Sequence, residues 1–319
     1  MLKNQVSLEP YNTFHLKSKA YWFAYIPDIP TLKEALQTPQ MKAFPLLILG
    51  GGSNILLAGD FKGVVLKIEI GGIQKVKEDQ DYVWLKIGAG VDWHQFVLHC
   101  VERNWQGVEN LSLIPGTVGA APIQNIGAYG VELHEVFDSL DAISTDGKET
   151  KTFSLEECQF GYRDSIFKKE LKGKYIITHV TLRLRKKPQF NTSYGTLQQM
   201  LEANGVKELS VKAISDAVIQ IRKSKLPDIA ELGNCGSFFK NPVIPIAHYE
   251  RLKKQYPSIV AYPTESPQTM KISAGWLIEQ CGWKGKRVGN VGCYEKQALV
   301  IVNYGNASGV EIKNFAAKV

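Results

Sequence analysis

A single serine stands between a glycine and two phenylalanines in the stretch Gly233-Asn-Cys-Gly-Ser-Phe-Phe-Lys-Asn-Pro242. A plain turn does not need two aromatic rings, and a plain core strand does not need Gly236 and Ser237. The stretch reads as backbone that comes close to a ligand, with an apolar wall and one proton-bearing hydroxyl, Ser237, facing it. Two glycine-rich segments point to further parts of that ligand. Gly50-Gly51-Gly52-Ser53-Asn54 follows the short apolar run Leu46–Leu49, and converging backbone N–H groups in such a loop bind anions. It is neither GxGxxG opening a helix nor GxxxxGK[ST], so neither of those nucleotide-binding folds is supported. The second segment, "IPGTVGAAPIQNIGAYG" from Ile114 to Gly130, is long, rich in glycine and nearly uncharged. Together they suggest a large ligand gripped by backbone, with a pyrophosphate and a ring system as its parts.

Metal chemistry has no such support. The 5 cysteines show no CxxC spacing and the 6 histidines no ligand pattern, so neither a disulfide framework nor a zinc site is indicated. The cysteines read as small buried apolar residues.

The elements that must hold these residues can be placed coarsely. Leu46–Leu49, Val64–Ile68, Val83–Ile87, Tyr175–Leu184 and Ala298–Asn303 read as strands, from short apolar or alternating runs bounded by turn residues. Asp92 reads as the cap of a helix through about Asn104, and Ser210 caps one with Val211, Ile214, Val218 and Ile221 on one face. Asp146-Gly147 marks a hairpin turn, and further helices are expected over Ile246–Gln255 and Ile272–Gln280. Pro227 disfavours a helical residue before it, making "KSKLPD" the candidate domain boundary. Strands and helices mix without regular βαβ alternation, which predicts an α+β protein.

At 319 residues the length suggests about two to three domains. The composition, 44% hydrophobic and 22% charged, is globular. The start lacks the apolar core of a secretory signal, and no apolar run reaches the ~20 residues of a spanning helix. A cytoplasmic protein without membrane attachment is expected. The net charge of +7 suits small polyanionic ligands. With lysines scattered and no basic helix carrying exposed aromatics, nucleic acid is not an expected partner.

The motifs "ILGGGSN", "IPGTVGAAPIQNIGAYG", "FGYRDSIFK", "KLPD" and "GNCGSFFKNP" occur in this order in the UDP-N-acetylenolpyruvoylglucosamine reductase family. The chain resembles that family from about Pro10 to its last residue. The resemblance implies a two-part FAD-binding domain of vanillyl-alcohol-oxidase type, residues 1–68 and 69–224, followed by a separate α+β substrate-binding domain, residues 225–319. It implies FAD as cofactor, NADPH as co-substrate, a nucleotide-sugar substrate and a role in peptidoglycan precursor synthesis; a monomer is expected.

On the same resemblance, Gly50, Gly51, Gly52, Ser53, Asn54, Gly116, Gln124, Asn125, Gly127 and Ala128 would line the cofactor. Neither glycine-rich loop carries a histidine or cysteine, so the flavin is expected to be held without a covalent bond. Ser237 matches the family's proton donor and Arg163 its enolate-stabilising arginine, whose fork of donors suits an oxyanion and a carboxylate. Phe238 and Phe239 would pack behind Ser237 and exclude water. Tyr194 matches a substrate-covering tyrosine of one subtype. Lys225, Asn241 and Gln297 match contacts to the nucleotide sugar, while Arg222 and Tyr129 are expected nearby. The family's patterns also continue into a strand "LExEV" with a catalytic glutamate, and the sequence stops before it. Two expectations follow, a truncated record or a naturally short chain with impaired turnover and intact binding. The final helix, capped by Ser308, would present Val310, Ile312, Phe315, Ala316 and Val319 on its apolar side.

Overall fold

The computed structural model describes residues 2–187 and 189–319, which divide into two compact units. The first comprises Met1–Tyr11, Ser18–Gly52 and Asp60–Ser224; the second comprises Asn12–Lys17, Ser53–Gly59 and Lys225–Val319.

Two sheets build the first unit. Strands β1 (Lys3–Ser7), β2 (Lys19–Ile26), β3 (Leu46–Leu49) and β4 (Phe61–Ile68) form a sheet of order β1-β2-β4-β3. The β2–β4 and β3–β4 pairs are parallel. Helix α1 (Ile29–Leu36) starts where the Asp28 carboxylate accepts the Thr31 N–H, and it buries Leu32, Ala35 and Leu36 against this sheet. A short α2 (Pro39–Ala43) leads into β3. The second sheet is antiparallel, with order β10-β9-β11-β6-β5. Its strands are β5 (Ile73–Glu78), β6 (Tyr82–Gly88), β9 (Phe137–Ser144), β10 (Thr150–Ser154) and β11 (Tyr175–Arg185). A small hairpin, β7 (Gly127–Ala128) and β8 (Val131–Glu132), precedes β9. Helix α3 (Trp93–Val101) is capped by Asp92 and drives Trp93, Phe96, Val97 and Cys100 into the core of this sheet. The expected extension to Asn104 does not form, because Asn104 takes a positive φ in the turn that ends the helix. Helices α4 (Gly195–Ala203) and α5 (Val211–Lys225) close the unit around Leu197, Leu201, Ile214, Val218 and Ile221.

In the second unit, β12 (Gly233–Ser237), β16 (Arg287–Val288), β17 (Val291–Cys293) and β18 (Val300–Asn303) form a sheet of order β12-β18-β17-β16. A three-stranded sheet, β13 (Val243–Pro245), β14 (Ala261–Pro263) and β15 (Thr269–Ile272), carries helix α6 (Ile246–Gln255). Helix α7 (Ala274–Gln280) begins after Ile272, which ends β15, because the Ser273 hydroxyl accepts the Trp276 N–H. Helix α8 (Gly309–Lys318) carries the expected Ser308 cap, closed as a box by Glu311. It buries Ile312 and Phe315 but leaves Val310 exposed, so its apolar face is narrower than the sequence suggested.

The mixed α+β class agrees with the sequence reading. The serine-bearing stretch is itself a strand, β12, and its glycine belongs to a bulge between Asn234 and Ser237 in the pairing with β18. Three of the cysteines are buried as expected, but Cys281 is exposed and Cys235 half-buried. Among the described residues no helix is long and apolar enough to cross a membrane.

Candidate active site

Within the first unit the two glycine-rich segments meet backbone to backbone. A Cβ added to Gly51 would lie 2.8 Å from the Gly116 Cα, and one added to Gly50 would lie 2.5 Å from the Thr117 Oγ1. The second segment is anchored by the first turn of α3 and the chain before it. The Trp93 N–H donates to the Gly116 carbonyl at 3.0 Å, Val118 N–H to Val91 at 2.9 Å and Gly119 N–H to Ala89 at 2.9 Å. Its uncharged character is thereby explained: Val118, Ala121 and Ile126 belong to the core cluster, and Ile114 and Ile123 pack against it. Among the described residues the Gly51 and Gly52 amides donate to no group of the protein. Free amides beside a junction with no room for side chains fit the pyrophosphate and ring of a dinucleotide. Ser53 and Asn54 fall in the second unit.

The loop ends on three residues held in left-handed backbone. Asn125 has φ 43°, Tyr129 φ 49° and, in the segment beside them, Arg163 φ 55°. Such conformations are costly for residues other than glycine and collect at functional sites. Asn125 is fully buried and its side chain is spent inside the protein: Nδ2 donates to Glu132 Oε2 at 2.7 Å and Gly161 O at 3.2 Å, while Oδ1 accepts the His134 N–H at 3.1 Å. Gln124 lies half-buried in the turn before it. Arg163 folds back onto this loop. Its guanidinium donates to Asn125 O at 3.3 Å and to Gly127 O, and pairs with Glu132 Oε1 at 3.6 Å. The sequence-expected cation and the sequence-expected cofactor loop are therefore in direct contact. Gly127 and Ala128 form the first strand of the small hairpin, whose turn is Tyr129-Gly130 with both φ positive. That is the type I′ geometry of two-residue hairpins, and the Tyr129 ring packs against the α4–α5 core cluster.

Tyr129 then meets Tyr194 edge to face, with ring centroids 5.4 Å apart. Burial raises the Tyr129 hydroxyl pKa. Tyr194 stands exposed at the start of α4. Tyr129 is tied to the segment that precedes Tyr194 by a side chain absent from the sequence reading. The buried Asn110 donates from Nδ2 to Tyr129 O and to Asn191 O, both at 2.9 Å, and Asn191 returns a bond to Gly130 O at 2.9 Å. Arg222 reaches the same region: its Nε donates to Leu113 O at 3.2 Å, and Tyr129 and Arg222 interact electrostatically.

In the second unit, Ser237 ends β12 opposite Val300, with the Phe238 N–H bonded to Leu299 O at 2.8 Å. Ser237 is exposed in this structure, and Phe238 and Phe239 pack edge to face on each other at 5.3 Å, so the expected water-excluding wall behind the hydroxyl is only partly built. Asn241 accepts the Ala274 N–H on Oδ1 at 2.9 Å. Gln297 Oε1 lies 3.8 Å from where a Gly275 Cβ would stand. Ser237, Asn241 and Gln297 thus gather about Leu299 and the start of α7. Lys225, half-buried, closes α5.

Sequence reasoning missed Asn110, Glu132 and His94. Their signals were weak: one asparagine before the glycine-rich run, one glutamate directly after it, and a histidine in the first turn of a helix. His94 Nδ1 accepts the Leu113 N–H at 3.0 Å, on the residue whose carbonyl takes Arg222.

Known proteins bear on this geometry. Residues 228–319 match the family profile "UDP-N-acetylenolpyruvoylglucosamine reductase, C-terminal domain", and residues 23–152 match "FAD binding domain". A relative from Amoebophilus asiaticus with the same reductase name is 49% identical over 318 residues, covering 100% of this chain and 94% of its own. One from Pseudomonas putida is 47% identical over 317 residues, covering 99% and 93%. The crystal structure of the reductase from Thermus caldophilus aligns over 100% of this chain and 94% of its own, with a TM-score of 0.70 at 23% identity, and so supports the fold.

Proposed function

Because the chain belongs to the UDP-N-acetylenolpyruvoylglucosamine reductase family, a family of flavin-dependent oxidoreductases of peptidoglycan synthesis, we propose that it spends NADPH, through non-covalently bound FAD, on the enolpyruvyl group of that nucleotide sugar to give UDP-N-acetylmuramate. When bound, the flavin supplies hydride chemistry, accepting a hydride from NADPH and giving it to one carbon of the enolpyruvyl double bond. The neighbouring carbon then carries charge conjugated with its carboxylate and must take a proton.

The chain's own residues meet those two needs. Arg163 supplies a fixed positive charge for the carboxylate and the developing enolate. Ser237 gives the proton; an alcohol is a weak acid, but a carbanion is base enough to draw it. Gly50, Gly51, Gly52, Ser53, Asn54, Gly116, Gln124, Gly127 and Ala128 line the cofactor, and Asn125 serves by fixing the loop. Tyr129, Tyr194, Arg222, Lys225, Asn241 and Gln297 receive the nucleotide sugar. Residues 1–68 and 69–224 form the two halves of the FAD-binding part, residues 225–319 the substrate-binding domain, and the chain works as a cytoplasmic monomer.

What supports this reading most is the guanidinium of Arg163 bonded to the carbonyls of Asn125 and Gly127, which seats a cation on the loop expected to hold the flavin. Mixing the flavin-loaded protein with NADPH should bleach the flavin band, and adding the enolpyruvyl nucleotide should restore it. Ser237→Ala should keep the bleaching and slow the recovery about 100-fold or more. Bleaching without recovery in the wild type overturns the substrate assignment, and normal recovery in Ser237→Ala removes that serine from its role.

A further inference from the structure

We infer that Glu132 is a positioning residue for the reaction: its carboxylate sets the direction of the Arg163 guanidinium. The inference rests on the reading of Arg163 as the cation that meets charge on the substrate.

The Arg163 backbone is pinned by paired bonds between Gly161 and Asp164, N–H to O in both directions at 3.1 Å. A pinned Cα still leaves a long, flexible side chain to orient. Of the three acceptors around its guanidinium, Asn125 O, Gly127 O and Glu132 Oε1, only the last carries charge. Glu132 is itself held at several points. It pairs with Gly127 across the hairpin, its N–H donates to Glu135 Oε1 at 2.6 Å, and its Oε2 accepts from the buried Asn125 at 2.7 Å. The carboxylate also accepts the Glu135 N–H as half of a capping box, so it is fixed from two sides while Oε1 lies toward Arg163.

The meeting point needs a glycine. A Cβ on Gly127 would stand 2.8 Å from Glu132 Cγ and 2.9 Å from Arg163 Nη1. Stability alone gives little reason for the pair. At 3.6 Å, with 30% and 28% of the side chains exposed, such an ion pair is weakened by solvent screening. Its geometry matters more: oriented groups at a reacting centre lose about a hundredfold in rate when displaced by an ångström. The Lys168 ammonium, bonded to Arg163 O at 2.9 Å, and the Glu135 carboxylate are the neighbouring charges, and His134 Nδ1 lies 3.4 Å from Glu132 Oε2.

Glu132→Gln retains an oxygen for Asn125 and removes the charge facing Arg163. In stopped-flow measurements on the flavin-loaded protein, it should slow reoxidation by the enolpyruvyl nucleotide about tenfold or more beyond any effect on reduction by NADPH. Glu132→Asp should recover part of the loss, and Glu132→Gln should add nothing in an Arg163→Lys background. A second readout needs no turnover. The Nε–Hε resonance of Arg163, assigned by its loss in Arg163→Lys, should be resolved in the wild type and exchange-broadened in Glu132→Gln. An unchanged resonance with reoxidation within about twofold of wild type overturns the inference, as does equal loss of both half-reactions in Glu132→Gln and Glu132→Asp. A wild type that never reoxidises defeats the substrate reading instead, and there the resonance alone decides the part played by Glu132.

Discussion

At the scale of single residues, the site is built from positions where a side chain is either forbidden or strained. Gly51 shows the first kind: its missing Cβ would stand 2.8 Å from a backbone carbon of Gly116, which cannot rotate away. Gly51→Ala should therefore push the two segments apart, cost about 1–3 kcal/mol, and empty the flavin site. Gly59 is the control, since nothing lies within 4 Å of its Cβ position. Thermal melts and the flavin content of purified protein check the pair, with Gly59→Ala expected near wild type. If both alanines keep full flavin, the junction is not what holds the cofactor. Tyr129 and Arg163 show the second kind. Their positive φ values of 49° and 55° could not be read from the sequence, because nothing local in Ala-Tyr-Gly or Tyr-Arg-Asp asks for them. The hairpin and the Gly161–Asp164 turn impose them.

At the scale of elements, helices α3 and α5 reach the site through one backbone unit, Leu113, itself at φ 59°. His94 on α3 accepts its N–H and Arg222 on α5 donates to its carbonyl. Burial holds the His94 imidazole below its ordinary pKa; Asp92 opposes this, and the Arg222 and Lys223 charges reinforce it. An imidazole depressed in the folded state contributes stability that is complete above about pH 6.5 and is lost as pH falls through the lower folded value. The wild-type melting temperature should thus fall more steeply from about pH 7 to about pH 5 than that of His94→Asn, whose amide oxygen accepts the same N–H at every pH. Parallel curves would remove His94 as the titrating group. Most elements that surround this contact were legible: Asp92 and Ser210 cap where expected, and β3, β6, β11 and the Asp146-Gly147 hairpin follow their apolar patterns. Strands β1 and β5 were not, since all but one residue of each is exposed to solvent, which leaves almost no inward face to betray them. Asn110 was missed for another reason. Its two bonds go to backbone carbonyls of segments 19 and 81 residues away, and no spacing rule reports such a partner.

At the scale of the molecule, the chain passes between its two units at Tyr11–Asn12, Lys17–Ser18, Gly52–Ser53, Gly59–Asp60 and Ser224–Lys225. The second unit therefore draws on two short N-terminal segments besides its C-terminal run. Thr13 exchanges bonds with Asn234 at the edge of β12, N–H to O at 2.9 Å in one direction and hydroxyl to carbonyl at 2.5 Å in the other. Phe14 is fully buried, and its carbonyl accepts Asn303 Nδ2 at 2.8 Å, so it joins β12 to β18. Leu57 is buried, and its carbonyl occupies the space a Cβ on Gly309, the first residue of α8, would need. A fragment of residues 225–319 would lose all of this and expose the edge of β12 together with the start of α8. It should show no cooperative thermal transition and little dispersion in its amide spectrum. In the full chain, Phe14→Ala should cost about 3–5 kcal/mol and lower the melting of strands some 220 residues further on, since Thr13 and Asn234 are 221 positions apart. A fragment that melts sharply on its own would show that the two short N-terminal segments are ornaments on a self-sufficient unit. If they are needed, the segment Ser53–Gly59, which directly follows Gly52, is part of the second unit's fold and not a linker that merely passes it by.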